Sequence, residues 1–216
     1  MIKEIKERAS KRVYSDKKIS ENDIRTILEA GRLAPSWMNV QPWHFIAVSK
    51  QETKDLLCEL SFGQKQVKTA SWVILCCADT TAWDSDKFRK ILREKGSTDD
   101  QIDGILQNST LYPKLKGSER TFLRTVEQCT YAMAYMTLEA QELGISSCII
   151  GAFGNDLTES NQEVYMKIRE KLNIPKNIFI TSMITLGYDA KPETQPKKIR
   201  KPFDEIASCE TYGQKF

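Results

Sequence analysis

Ala34-Pro35-Ser36-Trp37-Met38-Asn39-Val40-Gln41-Pro42-Trp43 joins a helical pattern to a strand pattern. Upstream, Ser20 with Asp23 forms a capping-box-like start, and Ile24, Ile27 and Leu28 carry the helical period through Leu33. Downstream, Trp43-His44-Phe45-Ile46-Ala47-Val48 is a strand by content. Two prolines fix the loop between them, and Ser36, Asn39 and Gln41 supply short hydrogen-bonding side chains, with Trp37 and Trp43 beside them. A rigid polar loop with aromatic walls suits a planar heterocycle. It reads equally as a capped turn between helix and strand.

Outward from this loop, residues 3–9 and Gln51 to Leu60 read as helices, and the continuous apolar run Trp72 to Ala78 as a buried strand. Residues 118–143 form the clearest helix. Phe122, Val126, Cys129, Met133, Met136, Ala140 and Leu143 alternate steps of four and three, which keeps one apolar stripe along it. Ser118 is the expected N-cap and Gly144 the expected stop. The stripe predicts a core helix and is compatible with a helix–helix dimer contact. A short strand, Ser147 to Gly151, a helix from Asn161 to Leu172 and a β-rich run from Ile178 to Gly187 follow. Strands separated by helices, with no dividing linker, predict one domain over residues 1–216 built as a layered α/β or α+β sandwich. Residues 79–116 carry two short helical patterns and no motif, and predict a variable lid or insertion. From Asp189 to residue 216 the periodicity fades into an extended tail.

The 216 residues are 40% hydrophobic, which excludes intrinsic disorder. A net charge of +3, from 32 basic and 29 acidic residues, leaves no nucleic-acid footprint. The longest apolar run is too short for a bilayer, and Met1 to Glu7 mixes charges, so the expectation is a soluble cytoplasmic protein without a membrane partner. Six cysteines form no CxxC. Cys76, Cys77 and Cys129 read as reduced core residues and Cys209 as an exposed thiol in a polar tail. The single histidine, His44, reads as structural, which argues against a serine–histidine–acid mechanism or a multi-histidine metal site.

Two basic clusters remain. Arg8-Ala9-Ser10-Lys11-Arg12 places two guanidiniums and a hydroxyl within five residues, and Lys198-Ile199-Arg200 projects two cations from one side of an extended segment. Such groups suit phosphate oxygens, and they also suit solvated surface charge. With no Walker loop or GxGxxG, a phosphate here would be held by side chains.

Together these segments resemble the FMN-dependent nitroreductase family. The family's R-x-S-x-R/K pattern reads Arg8-Ala9-Ser10-Lys11-Arg12 here, and its P-S-x-x-N-x-Q-P-W reads Pro35 through Trp43. A glycine-led strand and loop spans Gly144 to Phe153. A closing Leu186-Gly187-Tyr188 precedes Lys198-Ile199-Arg200-Lys201-Pro202. The resemblance implies a three-layer α-β-α sandwich of α+β class, forming a homodimer that exchanges its C-terminal tail and holds FMN in each of two interface clefts. By similarity, Arg8, Ser10, Lys198 and Arg200 hold the phosphate and ribityl chain, and Arg12 lies against the N1–O2 edge, where reduced flavin carries negative charge. Pro35, Ser36, Trp37 and Asn39 reach the flavin of the other subunit. Backbone N–H groups around Gly151 and Ala152 face N5 and O4, and Gln64 and Gln66 lie where members place a polar side chain on the pyrimidine edge. No metal and no protein acid or nucleophile is implied, because the chemistry resides on the flavin.

Three departures bear on this. Gly151-Ala152 stands where some members have Glu-Gly, Gln64-Lys65-Gln66 replaces Asn and Lys, and Trp37 replaces a small residue and narrows the cleft. The implied activity is ping-pong NAD(P)H oxidation coupled to reduction of a nitroaromatic, a quinone or a related small planar acceptor. Alternatives are a family branch that dehalogenates reductively or fragments flavin, and a flavin-binding protein without turnover.

Overall fold

Residues 1–194 and 197–216 are described by the computed structural model. In chain order the elements are α1 (Lys3–Glu7), α2 (Glu21–Arg32), β1 (Trp43–Val48), α3 (Gln51–Leu60), α4 (Lys65–Thr69), β2 (Trp72–Asp79), α5 (Ser85–Glu94), α6 (Asp99–Gln107), α7 (Ser118–Glu142), β3 (Ser146–Ile150), α8 (Gln162–Lys171) and β4 (Ile178–Gly187). The strands form one antiparallel sheet in the order β1-β2-β4-β3.

Strand β2 shows how the layers arise. Successive side chains of a strand face opposite sides. Val73, Leu75 and Cys77 pack with Leu57, Leu60, Val67 and Ile168 of α3, α4 and α8. Ile74, Cys76 and Ala78 pack with Ile24, Ile27, Cys129, Met133 and Met136 of α2 and α7. Helices therefore cover both faces, which is the expected three-layer α+β sandwich. Each fully buried Leu or Ile in these layers contributes about 1.5–3 kcal/mol of transfer free energy. A β-bulge at Cys76/Cys77 skips Thr181, whose hydroxyl donates to the Cys76 carbonyl at 3.0 Å. The skip moves Ile180 to the α8 side while Ile184 stays on the α7 side.

Helix α7 lies where its stripe predicts, with Cys129, Met133, Met136 and Ala140 in the core. Gly31 lets α2 approach it closely, since a Cβ there would sit 2.9 Å from Met136 Cγ. The stripe is consumed by this packing, so a helix–helix contact between copies would need the other face, where Leu123, Tyr131 and Tyr135 are exposed. The expected Ser118 N-cap is not formed. Gly117, at φ 92° and ψ 177°, occupies the cap position and Ser118 begins the first turn. The turn leading in from Pro113–Lys116 requires this positive φ, which serine adopts only with strain. At the other end the stop forms as expected: Gly144 has φ 69°, and Ile145 N–H donates to Ala140 O at 2.7 Å.

Residues 79–116 are a folded layer with their own core of Trp83, Phe88, Leu92, Ile102 and Tyr112, which Trp37, Met38 and Val40 join. The four cysteines Cys76, Cys77, Cys129 and Cys148 are buried free thiols, and contact with Cys129 together with burial holds the Cys76 thiol well above its ordinary pKa. Cys209 is half-buried rather than open, because the tail folds back: its N–H donates to Gln214 O at 2.8 Å, and the Phe203 and Phe216 rings pack 5.6 Å apart. Among the described residues no helix is long and apolar enough to cross a membrane, and no group of His, Cys, Asp and Glu is placed to hold a metal ion. His44 is exposed on β1.

Candidate functional site

The segment after α1 runs along the end of the sheet. Ser10 bridges Ser147 in parallel, Lys11 N–H donates to Ser147 O at 3.1 Å, and Tyr14 pairs with Asp189. The Tyr14 hydroxyl meets Thr185 Oγ1 at 2.7 Å, and burial pushes its pKa well above the ordinary phenol value, so it remains neutral. The Lys11 ammonium lies 2.6 Å from the Asp189 carboxylate and donates to Thr194 O at 2.7 Å. Burial raises the Asp189 pKa, but hydrogen bonds from Lys11 and from Lys191 N–H outweigh it, so the net shift is downward.

The basic tail reaches the N-terminal segment just ahead of the Arg8–Arg12 cluster. Lys198 Nζ donates to the carbonyl of Lys6, which lays the tail against the N-terminal segment. A cavity of about 640 Å³ opens there, lined in part by Lys6, Ala9, Lys11, Ser146, Asp189 and Lys198. Arg8, Arg12, Lys198 and Arg200 form no ion pair with a carboxylate among the described residues.

Beyond β3, Gly151 and Ala152 are exposed. The N–H groups of Ala152 and Phe153 have no protein acceptor among the described residues. This loop is tied to the corner between α3 and α4. Gln64 Nε2 donates to Ala152 O at 3.1 Å, Gly154 N–H donates to Leu60 O at 3.1 Å, and Asn161 Nδ2 donates to the same carbonyl at 3.3 Å. A Cβ on Gly154 would come 2.0 Å from Ser160 O, so only glycine fits. Gln66 is 7% exposed, and its amide donates to Gln64 Oε1 at 2.7 Å. Of the two glutamines, Gln64 therefore reaches the loop and Gln66 stands behind it.

The loop that opened the sequence analysis is built by more than its prolines. Ser36 Oγ accepts from Gln41 N–H at 3.0 Å, and Met38, Asn39 and Gln41 adopt φ of 47°, 62° and 46°. Trp37 is clamped: its N–H donates to Gln128 Oε1 at 2.7 Å, its indole donates to Leu111 O at 3.2 Å, and the Arg124 guanidinium lies 5.2 Å from the ring centroid. Gln128 is thirteen α7 residues from Gln141, which lines the basic cavity, so the two places lie about 20 Å apart along the helix. One chain thus lays Lys198 against the segment that leads into Arg8, Ser10 and Arg12, leaves Arg200 on the Ile199 carbonyl, and links Gln64, Gln66, Gly151 and Ala152 in a second group. It leaves Pro35, Ser36, Trp37 and Asn39 elsewhere. Sequence reading missed Arg124 and Gln128. Both lie in the polar stretch Arg124-Thr125-Val126-Glu127-Gln128, where no residue type or spacing set them apart.

A three-layer α+β sandwich with a cation-rich segment and an amide-bearing loop at the end of an antiparallel sheet defines an oxidoreductase of the nitroreductase type. Residues 5–188 match the Nitroreductase family, and the chain belongs to it. A Staphylococcus haemolyticus protein provisionally named NAD(P)H nitroreductase SH0546 is 32% identical over 206 residues, covering 92% of this chain and 91% of its own. The oxygen-insensitive NADPH nitroreductase of Helicobacter acinonychis is 28% identical over 192 residues, covering 85% and 83%. The crystal structure of a nitroreductase-like protein from Streptococcus mutans superposes with a TM-score of 0.81 at 21% identity, covering 96% of this chain and 97% of that one, a likeness of fold.

Proposed function

We propose that this enzyme binds FMN and uses NAD(P)H to reduce nitroaromatics, quinones or related small planar acceptors, in two half-reactions at one shared cleft. The observation that carries the reading is the bond from Lys198 to the Lys6 carbonyl, which lays one basic segment against the chain that leads into the other, Arg8 to Arg12. These residues fit the group. Arg8, Ser10, Lys198 and Arg200 supply donors for a phosphate and a polyol, and Arg12 supplies a cation for the N1–O2 edge. The exposed backbone around Gly151 and Ala152 supplies N–H donors for ring acceptors, and Gln64 supplies a polar side chain beside it. Bound FMN supplies hydride acceptance from the nicotinamide and donation to the acceptor. The chain's own residues bind, orient and exclude water, and no protein acid or nucleophile is required.

The second half of the proposal is a homodimer. Pro35, Ser36, Trp37 and Asn39 lie far from the basic cavity of their own chain, so they complete the cleft of a second copy. The outer face of α7 offers Leu123, Tyr131 and Tyr135 for that contact. The tail carries exposed Phe203, Ile206 and Phe216, and a groove of about 730 Å³ lined by Leu28, Trp43 and Phe45 follows β1, an outer strand of the sheet. The tail crosses to the partner in this reading.

The decisive experiment combines the visible spectrum of the purified protein with steady-state NAD(P)H oxidation using a quinone and a nitroaromatic. A flavin spectrum with turnover and parallel double-reciprocal lines supports the proposal. A colourless protein that takes up no FMN overturns it, and a flavin spectrum without turnover leaves a carrier.

A further inference from the structure

A small cavity lies between the Pro35–Trp43 loop and α7, lined in part by Ser36, Trp37, Arg124, Glu127, Gln128 and Tyr131, with a volume of about 140 Å³. Gln128 is 2% exposed. Its Oε1 accepts the Trp37 N–H at 2.7 Å, which leaves both hydrogens of its Nε2 without a protein acceptor among the described residues. No polar side-chain atom among the described residues is both sealed from solvent and unpaired. The Nε2 therefore reaches open space, and the cavity that Gln128 lines supplies it.

The other polar groups of the cavity are also donors in excess. Each carboxylate oxygen of Glu127 is already engaged: Oε2 accepts from Arg124 Nη1 at 2.6 Å, and Oε1 accepts from the Tyr131 hydroxyl at 3.0 Å. The bond from Arg124 holds the Glu127 carboxyl below its ordinary pKa, so this group stays an anion matched to one cation. Ser36 Oγ accepts from Gln41 N–H at 3.0 Å and keeps its own hydrogen. Arg124 spends Nη1 on Glu127, and its Nε and Nη2 meet no protein acceptor among the described residues. The guanidinium lies 5.2 Å from the Trp37 ring centroid, so the indole is an aromatic wall beside these donors.

A cavity of about 150 Å³ holds one benzene ring, so this one takes a ring edge or a single substituent and excludes a whole nicotinamide nucleotide. Free N–H donors beside an aromatic wall suit a planar group with two oxygens, a carboxylate or a nitro group. The Arg124–Glu127 pair cancels its own charge, so the donors and not a net field select the ligand. We propose that this cavity is a substituent subsite for aromatic acceptors, with Gln128 and Arg124 as specificity-determining residues that receive a carboxylate or nitro group remote from the group being reduced. The inference rests on the dimer reading above, in which Trp37 completes the cleft of a second copy and the Tyr131 face of α7 meets that copy.

The test uses the full chain with and without FMN. In the cofactor-free protein, sodium benzoate and nitrobenzene are titrated while the side-chain NH₂ resonances of Gln128 are followed by NMR. Their absence from the spectrum of Gln128→Glu identifies them. Either probe should shift them saturably, and toluene should not. A response to benzoate alone assigns the site to carboxylates, and a response to nitrobenzene alone assigns it to nitro groups. In the FMN-loaded enzyme, kcat/KM is measured for 4-nitrobenzoate and 1,4-dinitrobenzene, each as a ratio to 4-nitrotoluene, so that comparing variant with parent cancels intrinsic reactivity. Gln128→Glu keeps an oxygen for the Trp37 N–H and turns the free donor into an acceptor, and both ratios should fall about tenfold. Arg124→Lys keeps a cation for Glu127 and removes the spare fork, and the ratios should fall in the same direction.

Resonances that ignore both probes, or that follow toluene equally, overturn the subsite whether or not FMN binds. Ratios unmoved in Gln128→Glu overturn its role in selectivity and leave Gln128 as a clamp on the loop, since that variant preserves the clamp. FMN uptake that shifts the same resonances and blocks both probes gives the cavity to the cofactor and overturns the acceptor assignment. A chain that takes up no FMN overturns the proposed function, while the titration of the cofactor-free protein still decides the binding site.

Discussion

Lys11 and Asp189 stand 2.6 Å apart with side chains only 13% and 14% exposed, joining the N-terminal basic segment to the residue two beyond β4. This pair sorts the basic segment. Lys11 is neutralised by Asp189, while Arg8 and Arg12 on either side form no ion pair with a carboxylate among the described residues. Lys11→Met should cost about 2 kcal/mol in urea unfolding at pH 7, because it strands a shielded carboxylate.

The same pair has a pH signature. The native Asp189 pKa lies below the ordinary value of 3.8. Its contribution is therefore full above that value and is lost as pH falls from 3.8 through the lower native pKa. Urea midpoints between pH 5 and pH 2.5 should fall less steeply for Asp189→Asn than for the parent chain. Equal slopes would show that the pair contributes nothing to acid sensitivity.

Removing two tail cations tests the phosphate assignment. A charge-assisted contact is worth about 1.5–3 kcal/mol, so Lys198→Ala with Arg200→Ala should weaken FMN binding by about 10²- to 10⁴-fold. Among the described residues both side chains bond only backbone carbonyls, so the fold should survive. Fluorescence titration reads the affinity, and an unmoved Kd removes these residues from the site.

Trp37 is held from three sides, by Gln128, Leu111 and Arg124, so it forms a fixed wall. Trp37→Gly should raise kcat/KM for bulky nitroaromatics relative to small quinones and change FMN affinity less. The main-chain bond to Gln128 can persist in the variant, which limits the damage to the loop. An unaltered acceptor profile would return Trp37 to a purely structural role.

Arg169 shows what a buried cation does in this fold. It is 7% exposed, donates to Ile178 O at 2.9 Å and to Tyr165 Oη at 3.1 Å, and binds the Pro175 carbonyl. Arg169→Met should cost about 3 kcal/mol by leaving those acceptors unpaired, which for a domain of this size lowers Tm by about 6–12 °C. A loss below about 1 kcal/mol would mean that water replaces the guanidinium.

Much of the layering was legible before any coordinates. The unbroken apolar run of Trp72 to Ala78 forces a strand buried on both faces, and the four-and-three spacing from Phe122 to Leu143 forces a long helix with one inward side. Both follow from local periodicity, which is a property of the chain alone. The Arg8–Arg12, Pro35–Trp43 and Lys198–Pro202 segments likewise carried the resemblance to the family by residue type and order. Tertiary structure decided the rest, because it depends on which distant groups come within a few ångströms. It chose Lys11 rather than a neighbour for Asp189, put Gly117 in the cap expected of Ser118, and buried Gln66 behind Gln64. It packed residues 79–116 against Trp37 and separated that tryptophan from the basic cavity by about half the length of α7. Hydrogen bonds and ion pairs between residues up to 192 positions apart leave no periodic trace in a sequence, since their partners are selected by packing and not by spacing.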